Sequence, residues 1–471
     1  MLFVNGTLDS LLPEDSVART LWAALGELDF SLFEQRYKNE RRGRYAIDPR
    51  RLVAVWILSL LRGNTSSVVL AELCGRDLEF RWLMGDVSVK KSTLSGFRKN
   101  HLEELSDLST QILAVLAHMG LLPATNVCVD GTVIRAAASC GASCSRKKLR
   151  GRIERLRTRV QETLAQPEST NQQAQLLEQR RQRMQEALEE MTRLGLTGDE
   201  DRMTLTEPDA PTRKLKTHNF APAHNVQVTA DLDSGAVIEV EVIDQGNDAG
   251  QLAPQLRRAQ AEVDRVGQKM TDEEDKPGPI RAGAADSAYH DTRQLKDFEQ
   301  QGIKTYVPDT RLERRPSGVS DAFLARMFSY DETTDTMTCP MGCPLRARKL
   351  NANQTAMTYQ ANAKTCANCP HKHECCPNTK GGRSVNRPLY PEIVQRVHQR
   401  TKSEQGKRFR KARSVTGEGV IARMVDRLPW RRCRTWGRRG AQAEAKWRQI
   451  THNLMVIMHQ WQPLVLRAGL A

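Results

Sequence analysis

The chain has 471 residues, 39% of them hydrophobic, with a formal net charge of +15 at pH 7 and a pI of about 9.4. This length is too great for one hydrophobic core and predicts two to four structural modules. So basic a chain is expected to bind a polyanion, either nucleic acid or an anionic membrane surface.

The rest of the composition favours nucleic acid over a membrane. No apolar stretch approaches the roughly 20 residues of a membrane span, and the first residues lack the charged-then-apolar layout of a signal peptide. The eleven cysteines are odd in number and unevenly spread, unlike the disulfide framework of a small secreted protein. We therefore expect a cytoplasmic protein that binds nucleic acid.

Residues 1–120 are predicted to form a helical domain. Asp48 and Pro49 open one helix, with proline in its first turn and an apolar run behind it. Ser66 precedes a short amphipathic helix, and the hydroxyls within 91–100 can cap another. Short helices separated by tight polar turns, the last of them basic, suit a helix-turn-helix that docks on DNA. The alternative is a helical bundle used for dimerisation.

Asp130 ends the first strand-like apolar run, which starts at Asn126, and is followed by Gly131. A carboxylate that leaves a strand beside glycine can approach a metal ion without bulky neighbours. Taken alone the motif is weak, because Asp-Gly is more often simply a turn. Its weight depends on the acidic residues that follow later in the chain.

Between residues 146 and 195 apolar residues repeat at helical spacing on both sides of a proline-containing turn at 166–170. They are Leu149, Ile153, Leu156, Val160 and Leu164, then Leu177, Met184, Leu188 and Met191. Two amphipathic helices around such a turn are expected to fold back as an antiparallel hairpin. The dense Arg and Glu residues are most simply a solvated face. Since the apolar seam is narrow and coiled-coil-like, a role in holding two subunits together is the alternative.

Strand patterns return at 224–231 and 236–243, where alternation and a glycine in the connection predict a β-hairpin. The elements that follow are a helix near 249–266, a short apolar run ending at Asp286, a helix near 291–301 and a strand at 303–308. This order is that of a ribonuclease-H-like fold, a mixed sheet of the α/β class. Its first and fourth strands are adjacent, which would bring Asp130 and Asp286 together.

The third acidic residue, Glu418, lies in a strongly basic, helix-prone C-terminal segment. Three such carboxylates can hold two divalent ions about 4 Å apart, which activates an attacking oxygen and stabilises a leaving oxygen at phosphorus. Gly417 and Gly419 flank Glu418 and are poor helix formers, by roughly 1 kcal/mol each. Glu404 and Asp426 therefore remain alternatives for the third acid.

Residues 339–376 are rich in cysteine, with Cys339 and Cys343 as one pair and Cys366 and Cys369 as a second. Two short pairs separated by about twenty residues suit a four-thiolate zinc site, because each pair supplies two sulfurs to a tetrahedron. We expect one structural zinc ion there. The alternative is a set of reduced, unliganded thiols in a cytosolic loop.

Fourteen Lys or Arg residues stand between Arg400 and Arg439, and Trp430 and Trp436 interleave with them. Guanidinium groups neutralise phosphates, and indoles can stack on unpaired bases near a DNA end. The alternative is that the tryptophans pack the segment onto the core. The residues expected to contact DNA are Arg413, Arg423, Arg431, Arg432, Arg434 and Trp436.

Further short motifs extend over most of the chain. They are Asp48-Pro49 through Phe97-Arg98, Val129-Asp130-Gly131-Thr132, Asn225-Val-Gln227, Asn247-Asp248, Ala285-Asp286-Ser287-Ala288-Tyr289, Tyr306-Val307-Pro308, Gly406-Lys407-Arg408, Arg413, Glu418, Arg439-Gly440 and His452-Asn453-Leu454. Together they resemble the DDE transposases of bacterial insertion sequences, in the group with a ribonuclease-H-like catalytic domain. One difference is His224, where that family usually has tyrosine.

The resemblance implies that Asp130, Asp286 and Glu418 are catalytic and bind two magnesium or manganese ions per active site. It implies a homodimer that binds the terminal inverted repeats of an insertion sequence and target DNA, in the cytoplasm at the bacterial nucleoid. The expected reaction is cleavage at the element's ends, followed by attack of the released 3′-hydroxyls on target DNA. The alternatives are an inactive relative that only binds DNA, and a site-specific nuclease on the same fold.

The predicted domain organisation has four parts. Residues 1–120 form the helical DNA-binding or dimerisation domain, and 121–312 form the first part of the ribonuclease-H-like core, with the inserted helical hairpin at 146–195. Residues 313–398 form a cysteine-rich, zinc-binding insertion. Residues 399–471 return to the core as the helical part that carries the third acid.

Overall fold

The computed structural model describes residues 7–37, 46–165, 171–215, 219–309, 316–379 and 381–467, without the side chains of 171 and 459–467. The predicted turn at 166–170 and the predicted boundary between 312 and 313 lie outside these residues. A helical N-terminal part precedes a mixed sheet, and a second, antiparallel sheet comes before the last helices.

The N-terminal part consists of helices whose starts mostly follow local sequence signals. They are α1 Leu8–Leu11, α2 Val17–Gly26, α3 Ser31–Glu34, α4 Pro49–Leu61, α5 Ser67–Arg76, α6 Leu78–Met84, α7 Lys91–Asn100 and α8 Leu102–His118. Asp48 caps α4 by accepting from the Arg50 N–H, and Ser66 caps α5 through the Val69 N–H. The hydroxyl cap predicted for α7 is wrong, since Lys90 holds the N-cap position and makes no side-chain capping bond within the described residues.

The central sheet is mixed, and a small two-stranded ribbon lies beside it. In chain order the strands are β1 Asn126–Arg135, β2 Ser143–Ser145, β3 Arg202–Thr204, β4 Thr212–Lys214, β5 Phe220–Asp231, β6 Val237–Ile243, β7 Ala282–Ala284 and β8 Lys304–Tyr306. The order across the sheet is β4–β5–β1–β7–β8, β6 also pairs with β5, and β2 and β3 form the ribbon. β5 is antiparallel to β1 and β6, whereas β1, β7 and β8 are parallel. The predicted adjacency of the first and fourth core strands is present in β1 and β7, consistent with a ribonuclease-H-like core.

Two long helices lie between β2 and β3. α9 Arg146–Ala165 and α10 Asn171–Arg193 pack on each other through a small core that includes Leu149, Ile153 and Met191. The β2–β3 ribbon forms their base. The core helices α11 Leu252–Lys269 and α12 Thr292–Gln300 follow later in the chain.

The cysteine-rich residues belong to the second, antiparallel sheet. Its elements are β9 Ser329–Asp331, β10 Thr336–Thr338, β11 Pro344–Leu350, β12 Ala356–Ala361, α13 Ala363–Ala367, α14 Lys372–Cys375 and β13 Ser384–Pro388. The strands lie in the order β13–β12–β11–β10–β9. This sheet has a hydrophobic core of its own, which includes Phe323, Leu345, Tyr359 and Val385.

The C-terminal part is helical. It begins with α15 Pro391–Lys402 and α16 Glu404–Ala412, and the helical backbone then continues through a π segment Arg413–Gly417, α17 Glu418–Ala422 and a second π segment Arg423–Arg427. The last helix is α18 Gly437–Arg467. No helix in the described part of the chain is both long and apolar enough to cross a membrane.

Strand β1 contributes to two different hydrophobic cores. Val127 and Val129 belong to a core that also contains the N-terminal helices and Trp447 of α18. Cys128, which points to the other face of the strand, belongs to a second core with Val420 of α17. The N-terminal helices, one face of the sheet and α18 therefore share a single core, and α17 packs on the opposite face.

Candidate active site

Asp130 and Asp286 lie close together where the parallel pairing of β1 and β7 ends. The parallel pairing of β1 and β7 ends with Cys128 beside Ala284, so each aspartate stands two residues further along the chain. Asp130 accepts a hydrogen bond from the next backbone N–H at 2.9 Å. Asp286 begins a 3₁₀ turn and accepts from the backbone N–H two residues on at 2.8 Å. Both carboxylates are therefore oriented by their own backbone.

Glu418 is connected to the aspartates through Arg413 and a π turn. The Arg413 guanidinium lies 3.6 Å from Asp130 Oδ2 and 3.7 Å from Glu418 Oε1. Arg413 and Glu418 are five residues apart, whereas on an α-helix residues three or four apart face one another. The π segment Arg413–Gly417 winds more slowly and brings residues five apart together. Such π turns are frequent at functional sites.

Two glycines permit close approaches at this site. A Cβ on Gly417 would lie 3.3 Å from Cys128 Sγ, so the π segment that precedes Glu418 packs directly on β1. A Cβ on Gly131 would lie 2.6 Å from Gln227 Nε2 and 2.7 Å from Asp248 Oδ1. Gly131 lies inside β1 and not in a turn, and it is the missing side chain that lets these polar groups approach.

The three predicted acids line one open cavity of about 720 Å³. Of the two alternative third acids, Asp426 also lines the cavity, where it pairs with Arg431 at 2.6 Å. Glu404 is not among the described residues around it, and instead pairs at the surface with Lys407. The remaining lining residues are Gly131, Thr132, Val133, Arg135, Leu215, Arg413, Ile421, Ala422 and Val425.

Negative charge is concentrated around Asp130. Burial raises the pKa of the Asp130 carboxyl, and the neighbouring Asp286 and Asp248 raise it further. The Gly131 N–H and the Arg413 guanidinium oppose this rise in pKa. Nearby carboxylates repel one another, and a cation between them relieves that repulsion. A set of carboxylate oxygens fits the hard cations magnesium and manganese.

A polar network lies behind the first aspartate. Tyr289 donates its hydroxyl hydrogen to Gln227 Oε1, and Gln227 donates to Asp248 Oδ1 at 2.7 Å. Asn225 donates to the same Asp248 oxygen at 3.2 Å. Burial raises the pKa of the Tyr289 phenol, and the nearby acids raise it further, so the hydroxyl stays protonated and remains a donor. The network ties β5 to the turn that holds the second aspartate.

These network positions were not predicted as functional residues. Gln227, Asp248 and Tyr289 each fall within a motif that carried the resemblance, so a signal was present in the sequence. Nothing in that signal showed that the three side chains meet. They meet because Gln227 pairs with Gly131 across β5 and β1, which places its amide beside the first aspartate.

The arginines predicted to contact DNA occupy different environments. Arg413 and Arg431 line the cavity, and Arg434 exposes its side chain. Arg423 is half-buried near the β5–β6 turn and is not among the described residues around the cavity. The Arg432 guanidinium donates to backbone carbonyls just after β1, at 2.5 and 3.3 Å. Arg432 therefore holds two parts of the chain together.

The two tryptophans of the basic segment also differ. Trp430 is buried, with the guanidinium of Arg448 over its ring, so it packs the segment onto the core. Trp436 is 51% exposed and presents its ring to solvent. Glu444 of α18 fixes the loop between them by accepting from two successive backbone N–H groups, at 2.7 Å each.

His224, where the resembling family usually has tyrosine, is buried and bonded to Glu207 at 3.1 Å. Glu207 also accepts from the backbone N–H groups of Ala138 and Gly437, at 2.8 and 2.9 Å. The pair therefore joins β5 to the segment just after β1 and to the start of α18. The substitution has a structural role outside the cavity.

The four predicted zinc ligands line one small cavity beside the second sheet. Its cysteines are Cys339, Cys343, Cys366, Cys369, Cys375 and Cys376. Cys339 Sγ accepts from the Cys343 N–H at 3.3 Å, and Cys366 Sγ accepts from the Arg383 N–H at 3.4 Å. Within the described chain no three of these sulfurs lie within 4.8 Å of one another, so the cavity would have to close around an ion.

A surface group not predicted from the sequence does bring three ligand atoms within 4.8 Å of one another, in His118, Asp272 and Asp275. His118 Nδ1 is bonded to Asp275 Oδ2 at 2.7 Å. The three residues belong to α8 and to the loop after α11, and they are not among the described residues that line the catalytic cavity. We assign them no role in catalysis.

Two family models match the chain. A transposase domain (DUF772) matches residues 6–100, and a transposase DDE domain matches residues 338–458. The first match covers the helices α1–α7, and the second covers the six cysteines of the small cavity, Arg413, Glu418 and much of α18. The chain belongs to the DDE transposases. An N-terminal DUF772 domain followed by a C-terminal DDE domain is the order that fits such an enzyme.

No curated protein matches this DDE transposase. Residues 101–337, which carry both aspartates, lie outside the two matched segments. The positions of Asp130 and Asp286 in the transposase are therefore described by the geometry of the sheet alone.

Proposed function

We propose that this transposase binds the ends of an insertion sequence, cuts the DNA there and joins the 3′ ends to target DNA. The observation that supports this most is that Asp130 of β1, Asp286 in the turn after β7 and Glu418 of α17 line one cavity, where Arg413 pairs with Asp130 and Glu418. Arg431 also lines the cavity, where it pairs with Asp426. Such an opening can accept a phosphate of a DNA strand beside the acids.

The three acids are proposed to hold two magnesium or manganese ions. When bound, two such ions activate an attacking oxygen and stabilise a leaving oxygen at phosphorus. Asp130 and Asp286 are held by their own backbone, so they keep a fixed geometry. Arg413 neutralises part of the negative charge on Asp130 and Glu418 and is placed to contact a bound phosphate.

Double-stranded DNA, as terminal inverted repeats and as target, is the proposed partner. Arg413, Arg431, Arg434 and Trp436 are the proposed contacts, whereas Arg432 supports the loop that carries Arg431, Arg434 and Trp436. We propose a homodimer because an insertion sequence has two ends to be cut. We propose a DNA-binding or dimerisation role for residues 1–120, of which 6–100 match a transposase domain. A transposase acting on chromosomal DNA would work in the cytoplasm at the nucleoid, which we propose as its location.

The cysteine-rich residues 313–398 are proposed to bind one structural zinc ion through Cys339, Cys343, Cys366 and Cys369. Support comes from their shared cavity and from the backbone N–H groups that point at two of the sulfurs. Such bonds stabilise thiolates, the form of cysteine that binds zinc. The alternative of unliganded thiols is tested by the metal content of the protein.

The first prediction tests the acids. Replacing Asp130 or Asp286 with Asn keeps the side chain's shape but removes the charge that binds a hard cation. Each change should abolish cleavage of DNA carrying the element's ends in magnesium or manganese, while binding of those ends stays nearly intact. The ends are to be identified by a search for inverted repeats in the DNA that flanks the gene.

The control variants in the same assay are Glu404→Gln and Asp426→Asn, and Glu418→Gln should behave like the two aspartate variants. Substantial cleavage by Asp130→Asn or Asp286→Asn would remove the two-metal proposal. Loss of activity in Asp426→Asn with retention in Glu418→Gln would move the third acid to Asp426. Wild-type cutting without joining would identify a nuclease, and binding without cutting would identify an inactive relative.

A further inference from the structure

The positive charge of the α9–α10 pair is concentrated on one of its two helices. α9 contains eight Lys or Arg residues and two Glu, whereas α10 contains four basic and four acidic residues. In α10 the charges pair along the helix, as in Arg181–Glu178 at 2.6 Å and Arg193–Glu190 at 2.5 Å. The charges of α10 balance, whereas α9 carries an excess of six positive charges. This excess favours contact with a negatively charged partner.

Four basic residues form a stripe along α9, namely Lys148, Arg152, Arg155 and Arg159. Their separations of four, three and four residues place them on one side of the helix. The apolar seam that packs on α10 starts at Leu149, about 100° further around the helix, so the stripe flanks the packed face. None of the four makes an ion pair with an acidic residue in the described parts of the chain, unlike Arg150, which pairs with Asp199 at 3.1 Å.

The base of this helix pair stands at the rim of the catalytic cavity. Arg135, the last residue of β1, lines the cavity and leads through β2 into α9. Leu215, which follows β4, lines it as well, and the hydroxyls of Ser143 in β2 and Thr212 in β4 are 2.7 Å apart. With 20 residues, α9 extends about 30 Å from that base. The base of α9 is therefore connected directly to segments that line the cavity.

We propose that the stripe Lys148, Arg152, Arg155 and Arg159 binds the phosphate backbone of DNA outside the catalytic cavity. This inference rests on the proposed function and adds a second contact area for the same duplex. The stripe is about 16 Å long, which matches roughly five base pairs. Contacts to phosphate carry no sequence information, so the stripe would strengthen and orient binding on any sequence.

The test compares two full-length variants that lose the same charge. The stripe variant carries Lys148→Gln, Arg152→Gln, Arg155→Gln and Arg159→Gln. The control carries Lys147→Gln, Arg157→Gln, Arg180→Gln and Arg183→Gln, four exposed positions of the same two helices. Binding of a duplex of about 40 base pairs and arbitrary sequence is measured across a range of salt concentrations. Each lost phosphate contact lowers the slope of log affinity against log salt by about 0.9, so the stripe variant should lose about three to four units and the control at most about one.

Two half-stripe variants, Lys148→Gln with Arg152→Gln and Arg155→Gln with Arg159→Gln, should each lose about half of that slope. Equal slopes in the stripe and control variants, or a stripe variant that binds like wild type, would overturn the inference. A changed oligomeric state with an unchanged slope would assign α9 to subunit contact and overturn it as well. Wild-type protein that binds no duplex would defeat the proposed function too, whereas failure of the stripe alone leaves acid-dependent cleavage intact.

Discussion

Tyr289 joins the turn that begins at Asp286 to strand β5 through Gln227, and Gln227 holds Asp248 beside Gly131. Each hydrogen bond in this network satisfies a polar group of the next residue. A buried acceptor left without a donor costs about 1–3 kcal/mol. Loss of the tyrosine hydroxyl would leave Gln227 Oε1 without its donor. The two aspartates would then be held less firmly, and a misplacement of about 1 Å can cost a hundredfold in rate.

Replacing Tyr289 with Phe should lower the single-turnover rate of DNA cleavage by about tenfold to a hundredfold. DNA affinity should be unchanged, because the ring still fills its site and no DNA contact is removed. The free energy of unfolding should fall by about 1–2 kcal/mol. Measurement of the cleavage rate at saturating DNA, alongside the dissociation constant, separates these effects.

Tyr359 is the matched control, because its hydroxyl donates to Asp335 at 2.6 Å in the second sheet, away from the cavity. Tyr359→Phe should lose no more stability than Tyr289→Phe, because Asp335 is exposed, and should cleave at the wild-type rate. Equal rates for Tyr289→Phe and Tyr359→Phe would show that the network does not position the acids.

Among the elements, those with a local sequence signal were predictable and those built from distant contacts were not. Alternating strands and the apolar run before each aspartate predict the pairing of β1 with β7, because such patterns are encoded within a few residues. Gly417 and Gly419 indicated only a weak helix. In the structure Gly417 packs closely against Cys128, a residue far away in the chain, because it has no side chain.

In the candidate site, too, features with a local sequence signal were predictable and features built from distant contacts were not. Motifs indicated Asp130, Asp286 and Glu418, and the structure brings all three to one cavity. The carbonyl bonds of Arg432 and the burial of Trp430 depend on segments folded against them, which no local pattern of charge reveals. A run of basic residues in a sequence therefore does not show which side chains face solvent and which support the fold.

The second sheet should depend on zinc. Protein purified under reducing conditions should contain about one zinc ion per chain, since cysteine thiolates at these spacings are preferred zinc ligands. Replacing Cys366 and Cys369 with Ser should release the ion and lower the thermal stability of the second sheet. Metal analysis and thermal unfolding of the variant and wild type measure both effects.

Cys140, an exposed thiol outside this sheet, is the control, and Cys140→Ser should retain the metal. Cys375→Ser and Cys376→Ser should also retain it if the four predicted ligands are the correct set. Wild-type protein free of zinc would contradict the site, and loss of zinc in Cys376→Ser would change the ligand assignment.

In the molecule as a whole, α18 connects the sheet to the N-terminal helices. β6 is an edge strand, and side chains of α18 bond to its free backbone groups: the Val242 N–H donates to Gln442 at 2.7 Å, and the Val237 N–H donates to Asn453 at 2.8 Å. On its other side, Trp447 of α18 donates to a carbonyl of α7 at 3.2 Å. One helix therefore holds both halves of the shared core.

His452 makes this connection sensitive to pH. It lies in α18 and bonds to the Gly235 carbonyl at 2.9 Å, and burial lowers its pKa from 6.5 to about 4. Between these two pH values the unfolded chain binds a proton that the folded chain does not, so stability falls as the pH drops from 6.5 towards 4. The loss should reach about 3 kcal/mol, at about 1.4 kcal/mol per unit of pKa.

His452→Gln is the matched variant, because glutamine can still donate to Gly235 and does not titrate. Chemical denaturation at a series of pH values between 7 and about 4 should give a flatter fall in stability for His452→Gln than for wild type. The carboxylates that titrate in the same range are common to both proteins, so the difference isolates the histidine. Parallel curves would contradict its assignment.

The shared core has a consequence for incomplete copies of the gene. A chain that ended before α18 would lack Trp447, Ile450 and Leu454, all of which are buried in the core that contains the N-terminal helices. Those helices would then expose the apolar surface that α18 covers, and such surface promotes aggregation and proteolysis. A shortened gene product would therefore not accumulate as a folded protein that competes for the ends of the element. Truncated copies of the gene would lose activity without inhibiting the intact transposase.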